Sequence, residues 1–136
     1  MTDTKKYDVF LSYAQEDKAW AKEFAATLSE AGVRAWVDDR EMAPGQDLRR
    51  QVQKALRDSA TLVLIASPGN IDQPGTFFHV GAALADQKKI IAVLAHGADT
   101  ETIKRSNMLH HMQVLEEESP TKAGKQVAMA VVKVTA

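Results

Sequence analysis

Residues 60–67 read ATLVLIAS, a run in which Leu62, Val63, Leu64 and Ile65 follow one another with no polar residue between them. A strand with one wet face alternates apolar and polar side chains. An unbroken run therefore fits a strand covered by helices on both faces, as in a parallel sheet. KIIAVLA, residues 89–95, repeats the pattern. Both are expected to be central strands. Outward from them, YDVFLSYA (7–14) is short and rich in β-branched and aromatic residues, VRAWVD (33–38) alternates, and MQVLEE (112–117) is a weaker strand.

The segments between these runs change period. Trp20, Phe24 and Leu28 recur every fourth residue, widened by Ala21, Ala25 and Ala31, and Gly32 ends the stripe. Gln15, Glu16 and Asp17 precede it, the last two being acids suited to the positive end of a helix. After DREMAPGQD (39–47), whose Pro44-Gly45 pair signals a turn, Leu48, Val52, Ala55 and Leu56 form a second stripe. GTFFHVGAALADQ (75–87) reads as a third, mostly buried helix, and KQVAMAVVKV (125–134) as a closing one. This alternation predicts a flavodoxin-like three-layer α/β/α sandwich with a five-stranded, mainly parallel sheet, ordered 2-1-3-4-5 through right-handed crossovers.

A chain of 136 residues is expected to form a single domain over 1–136. With 17 basic and 18 acidic residues the formal charge is −1, which gives no electrostatic reason for nucleic acid or an anionic membrane as the main partner. No apolar run approaches the ~18 to 20 residues needed to span a bilayer, and MTDTKKYDVF lacks signal-peptide organisation, so a cytoplasmic location is expected. The absence of cysteine removes disulfides and thiolate chemistry and suits a reducing compartment. GxGxxG, Walker A and GxSxG motifs are absent. Of His79, His96, His110 and His111, the last two are adjacent and not at the i, i+4 spacing that places two ligands on one helical face; no metal is expected.

Doubly wound sheets bind ligands at the carboxyl ends of their strands. The candidate cleft is thus lined by Ser12, Tyr13, Ala14, Asp38, Asp39, Ser67 and the start of the 75–87 helix, with Phe78 and His79. Asp38 and Asp39 are placed either to meet a ribose or a partner or to remain solvated, and Phe77 and Phe78 either to stack on a ligand or to pack in the core. The loop residues Arg40, Glu41, Met42, Ala43, Pro44 and Gly45 set a small apolar contact among charges, a composition suited to protein association or to an ordinary connection before a helix.

Taken in order, YDVFLSYAQEDKAWAKEFAATL, VRAWVDDREMAPGQDL and ATLVLIASP resemble the first strand and helix, the second strand with its BB loop, and the third strand of the TIR (Toll/interleukin-1 receptor) domain, particularly its small bacterial members. The resemblance covers residues 6–95. It implies one of two activities: association with other TIR domains in signalling, or cleavage of the nicotinamide glycosidic bond of NAD+ to free, cyclic or linked ADP-ribose products in cell-death and antiviral pathways. It also implies that the 40–45 loop mediates assembly and borders the nucleotide cleft. By the same resemblance no cofactor is expected to be required, and NAD+ is the candidate ligand or substrate.

The enzymatic members carry a glutamate within a pattern like W-x-x-x-E-[IV]-G-A-A. The matching text here is GTFFHVGAA, with His79 at the glutamate and Gly75 at the aromatic. Cleavage builds oxocarbenium character on the ribose, which a carboxylate stabilises and a histidine does not. Near a helix N-terminus the imidazolium is further disfavoured, so a mostly neutral His79 is expected. Loss of the carboxylate commonly removes several kcal/mol of transition-state stabilisation, on the order of 10²- to 10³-fold in rate. Three roles stay open for His79: a histidine satisfied by the protein, a ligand contact without catalysis, or the centre of an altered reaction. Asp86, two turns or about 10 Å further along the helix, is too distant to substitute; Asp72 lies in the preceding loop.

Overall fold

The computed structural model describes residues 6–37, 48–67, 74–94 and 112–135. Strand β1 (Tyr7–Ser12) leads through a 3-10 turn (Gln15–Asp17) into α1 (Lys18–Glu30). Then come β2 (Ala35–Val37), α2 (Leu48–Arg57), β3 (Ser59–Ala66), α3 (Pro74–Ala85), β4 (Lys89–Leu94), β5 (Gln113–Glu116) and α4 (Pro120–Thr135). The sheet order is β2-β1-β3-β4-β5 and each pairing is parallel, as the sequence implied.

The unbroken apolar runs follow from this burial. In β3, Val63 and Ile65 face a cluster with Trp20, Phe24 and Leu28 of α1 and Ala123, Val127 and Val131 of α4. Leu62, Leu64 and Ala66 face the opposite cluster, with Val52, Ala55 and Leu56 of α2 and Val80 and Ala83 of α3. Strand β1 divides likewise, Val9 and Leu11 toward α1 and α4, Phe10 toward α2 and α3. Each fully buried side chain of this size contributes roughly 1.5–3 kcal/mol.

Two helices end in the same backbone device. Gly32 adopts φ 83°, its N–H donates to the Ser29 carbonyl and that of Val33 to the Leu28 carbonyl, the paired bonds of a Schellman cap. After α3, Gln87 takes φ 56° while its N–H donates to Leu84 and that of Lys88 to Ala83. The turn is equivalent, built without glycine.

The closing helix starts five residues before the expected 125. Ser119 Oγ accepts the Lys122 N–H at 3.2 Å, and Pro120 occupies the first helical position, where its missing N–H costs nothing. Strand β2 is also shorter than expected, spanning three residues.

Candidate functional site

Because β1 and β3 are neighbours while their following helices lie on opposite faces, the sheet's switch point falls between their carboxyl ends. Ser12 is the last residue of β1, and strand alternation puts it on the same face as Phe10, toward α3. His79 meets it there. Ser12 Oγ and His79 Nδ1 are 3.0 Å apart and share a hydrogen bond.

The imidazole rests on aromatic rings. Its centroid is 5.2 Å from that of Phe10 in a T-shaped contact, and Phe10 stacks on Trp36 at 4.9 Å and 18°. Phe10 and Trp36 are register partners across β1 and β2, so Trp36 backs the ring that meets the imidazole. Neither was singled out from sequence. The period-two alternation placing residue 10 on the face of Ser12 was the available signal. His79 is the sixth residue of α3, beyond the first turn where the helix dipole acts most strongly.

The other residues expected at the cleft distribute over both faces. Tyr13 is half-buried against the α1 and α4 cluster. Ala14 is extended (φ −81°, ψ 151°), and its carbonyl accepts the Asp17 N–H at 2.9 Å. Ser67 points to the α1 side, where its hydroxyl donates to Asp17 Oδ2 at 2.6 Å, both side chains being buried. Read from sequence only as a helix-entry acid, Asp17 thus joins the β1–α1 turn to the end of β3. A short, buried hydrogen bond links the two elements at the switch point.

Phe78 is 45% exposed. Its ring tilts against His79 at a centroid distance of 5.9 Å and lines a groove of about 470 Å³ between α2 and α3, with Leu56, Arg57 and Ala82. Asp86, at the far end of α3, is engaged with Lys88 Nζ at 3.0 Å. Asp38, Asp39, Asp72 and the loop residues Arg40, Glu41, Met42, Ala43, Pro44 and Gly45 lie outside the described residues. Among the described residues no group of three histidines, cysteines or acids is placed to hold a metal ion, and no helix is long and apolar enough to cross a membrane.

Comparison with known proteins gives consistent matches. The family model described as the TIR domain matches residues 9–126. An NAD(+) hydrolase, PdTIR, of Paracoccus denitrificans is 38% identical over 68 residues, covering 49% of this chain and 23% of that protein. A probable 2' cyclic ADP-D-ribose synthase, TcpO, of Methanobrevibacter olleyae is 29% identical over 105 residues, covering 74% and 30%. The crystal structure of the TIR domain of the Toll-related receptor TRR-2 from Hydra magnipapillata superposes with a TM-score of 0.71 at 22% identity, covering 96% of this chain and 98% of that one. The chain spans about a quarter to a half of the length of the curated relatives it matches.

Proposed function

The chain belongs to the TIR domain family, and on that premise we propose that it is a signalling and assembly module acting through association with other TIR domains. Its strand-end cleft would hold NAD+ or an ADP-ribose-like nucleotide with little or no turnover. The observation that carries this reading is the hydrogen bond between Ser12 and His79 at the switch point. An imidazole oriented by a hydroxyl and seated on Phe10 offers a polar ring edge to a ribose hydroxyl. It offers no negative charge to an oxocarbenium ion, and that charge difference is the larger part of the catalytic effect.

Catalysis by another carboxylate finds no support at the described residues. Asp17 lies across the sheet with Ser67, and Asp86 pairs with Lys88 at the opposite end of α3. The second reading is an NAD+ glycohydrolase or ADP-ribosyl cyclase of a bacterial immune system with histidine in place of glutamate. What favours it is the activity carried in the names of the relatives. A cytoplasmic setting accompanies either reading, and a chain without cysteine is suited to it.

The deciding experiment measures NAD+ consumption at high protein concentration for the protein, for His79→Glu and for His79→Ala, resolving nicotinamide, ADP-ribose and cyclic products. Silence in the first and turnover in His79→Glu is the expected result. Turnover by the protein itself that disappears in His79→Ala overturns the proposal in favour of the enzyme. For assembly, association should rise with concentration and weaken in Met42→Asp and Pro44→His; unchanged association in both rejects the role of the loop.

A further inference from the structure

We propose that a basic cavity at the amino-terminal edge of the sheet, between α1 and the starts of β1 and β2, binds a phosphate monoester. The cavity is an open surface hollow of about 650 Å³, within the roughly 300–1,000 Å³ range of small-ligand pockets. It opens beside Tyr7, the first residue of β1, whereas Ser12 ends that strand. Five residues of strand put it about 17 Å from the His79 site.

The charge of the lining departs from that of the chain. Basic and acidic residues balance to −1 overall, yet among the described residues Lys6, Lys22 and Arg34 line this one cavity and no carboxylate does. Helical spacing explains part of the arrangement, since Lys22, Ala25, Ala26 and Ser29 share one face of α1. The alanines, with Ala35 opposite, leave the volume open and give an apolar floor to the organic part of an ester.

Asp8 accepts Arg34 Nε at 3.3 Å, Nη2 at 3.2 Å and the Arg34 backbone N–H at 2.8 Å. That pair fixes the guanidinium and engages the fork that would otherwise match a carboxylate ligand. The remaining polar lining residues are Lys6, whose Nζ lies 5.8 Å from the centroid of the Tyr7 ring, Lys22, and Ser29, whose hydroxyl both donates and accepts; a lysine ammonium acts as a point charge. A compact anion with several acceptor oxygens fits them better than a flat carboxylate.

The test is an NMR titration of backbone amides with inorganic phosphate and with glycerol 3-phosphate at fixed ionic strength, for the protein, Lys22→Glu and Lys6→Glu. Saturable shifts confined to the Lys22, Ser29, Gly32 and Arg34 region, weakened about tenfold or more in both variants, are expected. Absence of shifts there, or shifts unaffected by either variant, overturns the proposal. Sedimentation with phosphatidylcholine vesicles containing phosphatidic acid separates the sources: binding lost in Lys22→Glu identifies a lipid headgroup, and soluble binding alone identifies a free metabolite. NAD+ carries an internal pyrophosphate bridge and no terminal phosphate monoester, so the outcome is independent of the His79 experiment.

Discussion

Gly124 of α4 lies so close to Thr27 of α1 that a β-carbon on the glycine would stand 2.7 Å from Thr27 Cβ and 2.8 Å from its Cγ2. Thr27 cannot easily turn away, because its hydroxyl donates to the Glu23 carbonyl at 3.1 Å and its side chain is buried. Helix propensity alone favours alanine by about 1 kcal/mol, whereas overpacking costs about 1–3 kcal/mol. Gly124→Ala is therefore expected to destabilise by up to about 2 kcal/mol in urea denaturation. Gly81 of α3 is the internal control: a β-carbon there meets nothing within 4 Å, so Gly81→Ala should gain up to about 1 kcal/mol. Equal shifts in the two variants would reject the close-contact account.

The ring of His79 should prefer one tautomer. The expected form carries the ring proton on Nε2, so that Nδ1 accepts from the Ser12 hydroxyl across their 3.0 Å contact. Long-range ¹⁵N–¹H spectra should show that state in the protein at pH 8, and a more mixed population in Ser12→Ala. An unchanged spectrum means that Ser12 does not set the tautomer.

Asp8 predicts an acid dependence of stability. Burial raises its pKa, but the side-chain and backbone hydrogen bonds from Arg34 and the guanidinium charge outweigh burial and leave it below the usual carboxylate value. A folded-state pKa below the unfolded value, about 3.9, gives stability that is present above that value. It is lost as pH falls through the lower folded pKa. The stability gap between the protein and Asp8→Asn should be constant at neutral pH and shrink below about pH 4. A gap that widens in acid would contradict the assignment.

Removing the cap of the last helix should be costly out of proportion to its exposure. Ser119→Ala deletes the oxygen that accepts the Lys122 N–H, a loss of about 1 kcal/mol. Thermal unfolding of that variant, alongside an exposed control such as Lys125→Ala, checks it.

The turn after α3 offers a gain. Gln87 sits at φ 56° where glycine carries no β-carbon penalty, and the difference, less the entropy of a glycine in the unfolded chain, leaves roughly 0.5 kcal/mol in favour of Gln87→Gly. Chemical denaturation should show a small rise in midpoint at constant slope.

The layers were legible because burial on both faces leaves no room for polar residues, as Leu62 to Ile65 show. The start of α4 escaped a reading based on apolar spacing, since its signal is the cap at Ser119 and the proline after it. His79 was legible by its place in the GTFFHVGAA pattern; its partner was not, because the bond to Ser12 joins residues 67 positions apart. Ser67 and Tyr13 were placed at the right strand ends, but which face a residue takes just beyond a strand depends on how the backbone turns. Phe78 was read as either a stacking ring or a core residue; its groove depends on where α2 lies, and that is a tertiary fact.

Strand β1 pairs with β3 in a register that joins Tyr7 to Ser59 and Ser12 to Leu64. Strand β1 thus waits for a neighbour some fifty residues behind it, about 3–10 s at ordinary elongation rates. Its other partner, β2, contributes three residues. During that interval Val9, Phe10 and Leu11 lack the covering layers that later bury them completely. The pairing that sets the switch point between β1 and β3 thus also makes closure of the loop over that span a step that folding must pay for in chain entropy.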